Sequence, residues 1–219
     1  MKAVVKTKRA KGLSFVKMPN PVIGPREVLI KVNIASICGT DVHIYDWTRW
    51  AQHRLSPPRI LGHEFVGTVA EVGEEVAVVK VGDCVSAESH LTCGHCYQCN
   101  NGNAEVCRNF KLLGVDHDGT FAEFFVLPEH VLWKNGSDIP LEWATIQEPF
   151  GNAVDTVMVE DVAAKTVLIL GAGPIGLFAA GIARACGASL VIVSDPNDYR
   201  LAISRKMGAH AAVNPRKED

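Results

Sequence analysis

The chain has 219 residues, enough for one large domain or two ordinary ones. Its hydrophobic content of 47% and charged content of 21% are those of a globular protein, and a net charge of -2 offers no basic footprint for nucleic acid. No apolar run reaches the length of a membrane span, and the charged, alternating start MKAVVKTKRAKGLSF lacks the apolar core of a signal peptide, so the expected compartment is the cytoplasm.

From the start to about residue 135 the chain reads as strands and turns. KAVV, LSFVKM, EVLIKVNIAS, FVGTVAEVG, CVSA and TFAEFFVL are rich in β-branched and aromatic residues, often alternating. Pro-Asn-Pro, Gly-Pro, Pro-Pro and Asp-Gly breakers separate them. This pattern predicts an all-β, barrel-like body carrying loops. Within it, ICGTDVHIYDW contains Cys38, Thr40, Asp41 and His43, and ILGHEFVG contains His63 and Glu64. Neither stretch is a spaced metal motif by itself. A lone cysteine among apolar residues is ordinarily core, and a lone histidine is ordinarily structural.

The stretch LTCGHCYQCNNGNAEVC places Cys93, Cys96, Cys99 and Cys107 together, in a chain with seven cysteines. In a reducing compartment clustered cysteines point to metal rather than disulfides. Two-residue gaps let the first three thiolates converge on one ion through tight turns, and Cys107 completes a tetrahedron. Gly94, Asn100, Asn101 and Gly102 supply turn chemistry. Four thiolates leave no open position, so a zinc here would be structural; a redox pair and a chance cluster are the alternatives.

Near LEWATIQEPFGNAVDTVMV the apolar residues change to helical spacing. An alternating pattern follows: a strand at 166–170 (TVLIL), a helix from Ile175 to Cys186, a strand at 190–194 (LVIVS), a helix at 198–207 and a strand at 211–213. Between the first strand and helix lies GAGPIG, with Gly171, Gly173 and Gly176. A lone G-x-G-x-x-G is weak, but after a strand and before a helix it reads as a dinucleotide-binding turn. Gly171 permits the tight turn, Gly173 lets backbone approach a pyrophosphate, and Gly176 allows close helix–strand packing. Asp195 ends the next strand, where a carboxylate holds ribose hydroxyls and repels a 2′-phosphate, favouring NAD over NADP. The competing reading is a Gly-rich turn between core elements, with Asp195 capping the following helix.

With GHE, the four-cysteine lobe and GAGPIG in this order, the chain resembles the zinc-dependent medium-chain alcohol dehydrogenases. ICGTDVHIYDW, CGHC and EPFGNAV are most similar to the threonine-oxidising branch of that family. The resemblance implies an α/β protein with a large all-β part. Residues 1–150 would form a GroES-like zinc-binding catalytic domain, and residues 151–219 the first half of a Rossmann NAD-binding domain. It implies a catalytic zinc held by Cys38, His63 and Glu64, with Glu148 beside it as exchangeable ligand or relay group. Thr40 and His43 match the family's proton relay, the four lobe cysteines its structural zinc, and Ile175, Asp195 and Arg200 its NAD contacts.

The implied reaction is hydride transfer from L-threonine to NAD, giving 2-amino-3-oxobutanoate. The alternatives are a related polyol or secondary-alcohol dehydrogenase of sorbitol or butanediol type, or a zinc-binding module without turnover. The partner expected is a small-molecule substrate, with neither nucleic acid nor membrane, in a homotetramer. Three departures stand out: Asp155 where histidine is common, Cys84 where arginine is common, and an ending that would leave the nicotinamide half of the Rossmann domain outside the sequence. Cys84 and Cys186 read as small core residues, and His90 stands just before the lobe.

Overall fold

The computed structural model describes residues 1–217. Its residues cluster into two units, one of Met1–Glu148 and one from Pro149 onward.

In the first unit, β1 (Lys2–Lys6) lies between β2 (Ser14–Lys17) and a short β4 (Arg59–Ile60) in an antiparallel sheet. The main sheet is antiparallel and built from β3 (Glu27–Ser36), β5 (Glu64–Val72), β6 (Cys84–Ala87), β9 (Phe124–Pro128) and β10 (Leu132–Lys134). Its order is β10-β6-β5-β3-β9. Strand alternation directs Val28, Ile30, Phe65, Val69, Val85, Phe125 and Leu127 into one core, where Phe65 and Phe125 meet edge to face at 4.7 Å. A two-stranded ribbon, β7 (His90–Leu91) with β8 (Lys111–Leu112), frames the cysteine lobe, which holds the single-turn α3 (Tyr97–Asn100). Two short helices, α1 (Gly39–Asp46) and α2 (Arg49–Arg54), follow β3.

The strand expected to begin at Thr120 begins at Phe124. Thr120 and Phe121 instead give their N–H groups to the carbonyls of Gly62 and Leu61, pinning the turn before β5. The C-terminal end of α1 is held by Lys6, whose side chain is 0% exposed. Its ammonium donates to the carbonyls of Ala10 (2.5 Å), Gly12 (3.1 Å) and Tyr45 (3.2 Å) and lies 4.9 Å from the Trp47 ring centre. A buried ammonium is tolerable only when its donors are paired, and these carbonyls pair them. Desolvation lowers its pKa, with Asp46 opposing.

The helical stretch around residue 145 is two helices, α4 (Leu141–Thr145) and α5 (Gln147–Met158). Beyond it, β11 (Thr166–Leu170), α6 (Pro174–Ala185), β12 (Leu190–Ser194), α7 (Asp198–Lys206) and β13 (Ala211–Val213) alternate as expected. The three strands are parallel in the order β11-β12-β13, the arrangement of one mononucleotide-binding half. Small residues, Ala179, Ala180 and Ala183, let α6 pack closely on Val191 and Val193. Cys84 and Cys186, expected in the core, are each half-buried. Among the described residues no helix is long and apolar enough to cross a membrane.

Candidate functional site

The antiparallel register of β3 with β5 sets Ser36 opposite Glu64 and so carries the turn after β3 to the start of β5. Cys38 follows that turn as the N-cap of α1. One ligand atom each from Cys38, His63 and Glu64 lies within 4.8 Å of the others. His63 and Glu64 are buried, at 5% and 7% exposure. Asp41, also buried, ties the two loops together: it accepts the N–H of Cys38 at 2.9 Å and that of Gly62 at 3.2 Å. Ser36 Oγ donates to Glu64 Oε2, and Ser89 Oγ donates to Glu148 Oε1 at 2.7 Å.

Anionic groups surround His63. Burial pulls the His63 imidazole down, but its hydrogen bond to Cys38 and the charges of Asp41, Cys38 and Glu148 outweigh that and hold it protonated up to about 9. Burial pushes the Asp41 carboxyl up, against the pull of His63 and the two backbone N–H groups. His63 Nδ1 is buried without a hydrogen-bond partner among the described residues. A thiol, an imidazole and a carboxylate with an orphaned ring nitrogen form a donor set that suits zinc. Glu148 stands outside this three-atom group but acts on His63 electrostatically. Thr40 and His43 sit one turn apart on α1, Thr40 half-buried and His43 exposed.

In the lobe, Cys93, Cys96, Cys99 and Cys107 form the second cluster. The sulfurs of Cys96–Cys99, Cys96–Cys107 and Cys93–Cys107 are 3.5, 3.7 and 3.5 Å apart. These spacings are too long for a disulfide and close to the ~3.8 Å edge of a tetrahedron with zinc–sulfur bonds of about 2.3 Å. The His95 backbone N–H and the Asn109 side chain draw Cys93 down to about 5, while burial and the neighbouring sulfurs push Cys99 up to about 11. Four sulfurs so close cannot all ionise without a cation among them.

In the second unit, Gly171 takes φ +103, a conformation few side chains adopt, and turns the chain out of β11. Gly173 is the N-cap of α6 with Pro174 at the first helical position. A Cβ on Gly176 would stand 2.0 Å from the Gly171 carbonyl oxygen, whereas a Cβ on Gly173 would meet nothing within 4 Å. Packing therefore requires the third glycine, and the second opens onto free space before the positive end of a 12-residue helix. A groove of about 710 Å³ runs past Gly171, Gly173 and Ile175. Asp195 is 4% exposed and accepts N–H bonds from Ala172 and Asn197, both at 2.8 Å. Arg200 Nη1 lies 3.8 Å from Asp195 Oδ2. Helix N-terminus, open glycine and buried carboxylate suit a dinucleotide.

Residues 24–140 match the family described as alcohol dehydrogenase GroES-like domain, and residues 174–219 match the one described as zinc-binding dehydrogenase. The chain belongs to this family. It is 53% identical over all 219 residues to L-threonine 3-dehydrogenase of Pyrococcus abyssi, covering 63% of that protein. Among solved structures, an alcohol dehydrogenase from Escherichia coli CFT073 complexed with NADH matches with a TM-score of 0.89 and 35% identity. The match covers 100% of this chain and 64% of that one. A zinc-binding dehydrogenase from Sinorhizobium meliloti 1021 bound to NADP matches at 0.88 and 32% identity, over 100% and 63% of the two chains. The chain thus spans about 63% of the length of the curated relatives it matches.

Sequence reasoning assembled the lobe and the glycine turn but gave no role to Asp41, Ser36 or Ser89. A signal existed only for Asp41: a carboxylate three residues after a helix N-cap is half of a capping box.

Proposed function

We propose that this chain carries the zinc-binding and adenine-nucleotide-binding parts of an NAD-dependent dehydrogenase that oxidises L-threonine to 2-amino-3-oxobutanoate. In this reading residues 1–150 are the catalytic domain and residues 151–219 the first half of the cofactor domain. The observation that carries it is the convergence of Cys38, His63 and Glu64 within 4.8 Å, in a chain half identical to proteins named for that reaction. Cys38, His63 and Glu64 would hold one zinc, and Cys93, Cys96, Cys99 and Cys107 a structural one. A zinc held by these residues would supply Lewis acidity toward the substrate hydroxyl.

The chain's own residues supply the rest. Thr40 Oγ1 accepts the proton released from the substrate hydroxyl and His43, exposed on the next turn of α1, passes it to solvent. Asp41 keeps the Cys38 and His63 loops at fixed separation. Glu148, held by Ser89, places negative charge where the substrate ammonium needs it. Gly173 and the α6 N-terminus accept the pyrophosphate, Ile175 lines its path, and Asp195 with Arg200 holds the adenosine ribose. Asp195 would repel a 2′-phosphate, hence NAD rather than NADP. The protein is read as cytoplasmic and homotetrameric.

The test is NADH formation from L-threonine, sorbitol and 2,3-butanediol by the chain extended to the length of its relatives. L-threonine should be the best substrate by kcat/KM. A higher kcat/KM for sorbitol or butanediol overturns the substrate assignment.

A further inference from the structure

Ser36 closes β3 and Glu64 opens β5, and the two are direct partners in the antiparallel ladder. Such partners project their side chains from the same face, within about 5 Å at Cβ. The sheet register therefore delivers the hydroxyl to the carboxylate, with no help from a metal. Ser36 Oγ donates to Glu64 Oε2. That occupies one oxygen of a buried carboxylate, and a carboxylate oxygen of Glu64 lies within 4.8 Å of the ligand atoms of Cys38 and His63. Ser36 also stands two residues before Cys38, so one strand end supplies a candidate ligand and the hydrogen bond that orients another.

We propose that Ser36 is a positioning residue of the Cys38–His63–Glu64 metal site, fixing the Glu64 carboxylate with one oxygen tied and one presented to a divalent cation. The proposal rests on the reading of those three residues as ligands. It differs from a purely structural role in what it sets. A hydroxyl that only satisfied a buried carboxylate would change folding stability, whereas this one sets the affinity for metal. Partners that orient a ligating carboxylate typically contribute roughly 10–100-fold to metal affinity.

The experiment measures zinc affinity of the 219-residue chain by chelator competition, with the four-cysteine lobe's zinc as internal reference for a folded protein. Ser36→Ala should weaken the Cys38 site by roughly 10–100-fold and leave the lobe's zinc in place. Ser36→Thr should bind like the wild type, since threonine keeps the hydroxyl and suits a strand; Ser36→Val, of the same shape without the hydroxyl, should behave like Ser36→Ala. In a Glu64→Ala background, Ser36→Ala should have no further effect. Wild-type affinity in Ser36→Ala and Ser36→Val, with weakened binding in Glu64→Ala, overturns the role of Ser36 alone. An undiminished loss from Ser36→Ala in the Glu64→Ala background does the same. Unchanged affinity in Glu64→Ala removes Glu64 from the ligand set, and the proposal with it.

Discussion

Replacing Asp195 with alanine should loosen the glycine turn before it affects anything else in the chain. Its carboxylate accepts the N–H groups of Ala172 and Asn197. Asn197 is exposed and its N–H can turn to water, but Ala172 is 0% exposed and its N–H cannot. One buried donor left unpaired costs about 1–3 kcal/mol. All four tryptophans, Trp47, Trp50, Trp133 and Trp143, lie in the first unit, so their fluorescence does not report on the turn directly. Hydrogen exchange over residues 167–178, in the second unit, should lose about tenfold protection for each 1.4 kcal/mol. Asp195→Asn keeps one acceptor for Ala172 and should lose less. The effect also has a pH window. Burial raises the Asp195 carboxyl, yet the two N–H groups and Arg200 outweigh it and hold it below the usual range. Its contribution is therefore complete above the ordinary carboxylate pKa of about 3.9 and disappears as pH falls through the lower folded value. Unchanged protection at Ala172 in Asp195→Ala, at neutral pH, would refute the reasoning.

Gly176→Ala should abolish NAD binding in a calorimetric titration, because its Cβ would sit 2.0 Å from the Gly171 oxygen and force the turn open; wild-type affinity would show that the turn does not hold the cofactor. Cys107→Ser should lower the zinc content measured by atomic absorption from two equivalents to one, since the buried Cys107 sulfur touches those of both Cys93 and Cys96. Two retained equivalents would count against the lobe as a metal site. Burial raises the Asp116 carboxyl, but the paired guanidinium of Arg54 and the Leu112 N–H outweigh that and hold it low. The stability difference between wild type and Arg54→Ala should stay constant at neutral pH and shrink as pH falls below about 4; a difference persisting to strong acid would contradict that pairing.

Local features were legible where local chemistry decides them. TVLIL and LVIVS occupy β11 and β12 with the expected bounds, because a short, β-branched apolar run flanked by turns favours a strand, whether buried at Val191 and Val193 or exposed at Leu168 and Leu170. The lobe's sulfurs converge because two-residue gaps permit little else. Helix α6 starts at Pro174, one residue before the expected Ile175, since proline's fixed φ suits a first turn. Helix α1 was hidden because Thr40, Val42 and Ile44 are β-branched, and it forms through the Asp41 cap and burial of Ile44. Cys38 and His63, 25 positions apart, meet only through the β3–β5 register. No local spacing encodes that pairing, so only the family likeness joined them. The serines that hold Glu64 and Glu148 were illegible for the same reason.

The caged ammonium of Lys6 offers a clock for the loop that covers it. An amine-reactive reagent labels solvated lysines at once, but Lys6 has no exposed surface and is modified only when the loop of residues 7–13, which carries the Ala10 and Gly12 acceptors, lifts away from it. Its labelling rate therefore counts those openings. Mass spectrometry of the N-terminal peptide would time how often the far end of α1, the helix bearing Thr40 and His43, is released.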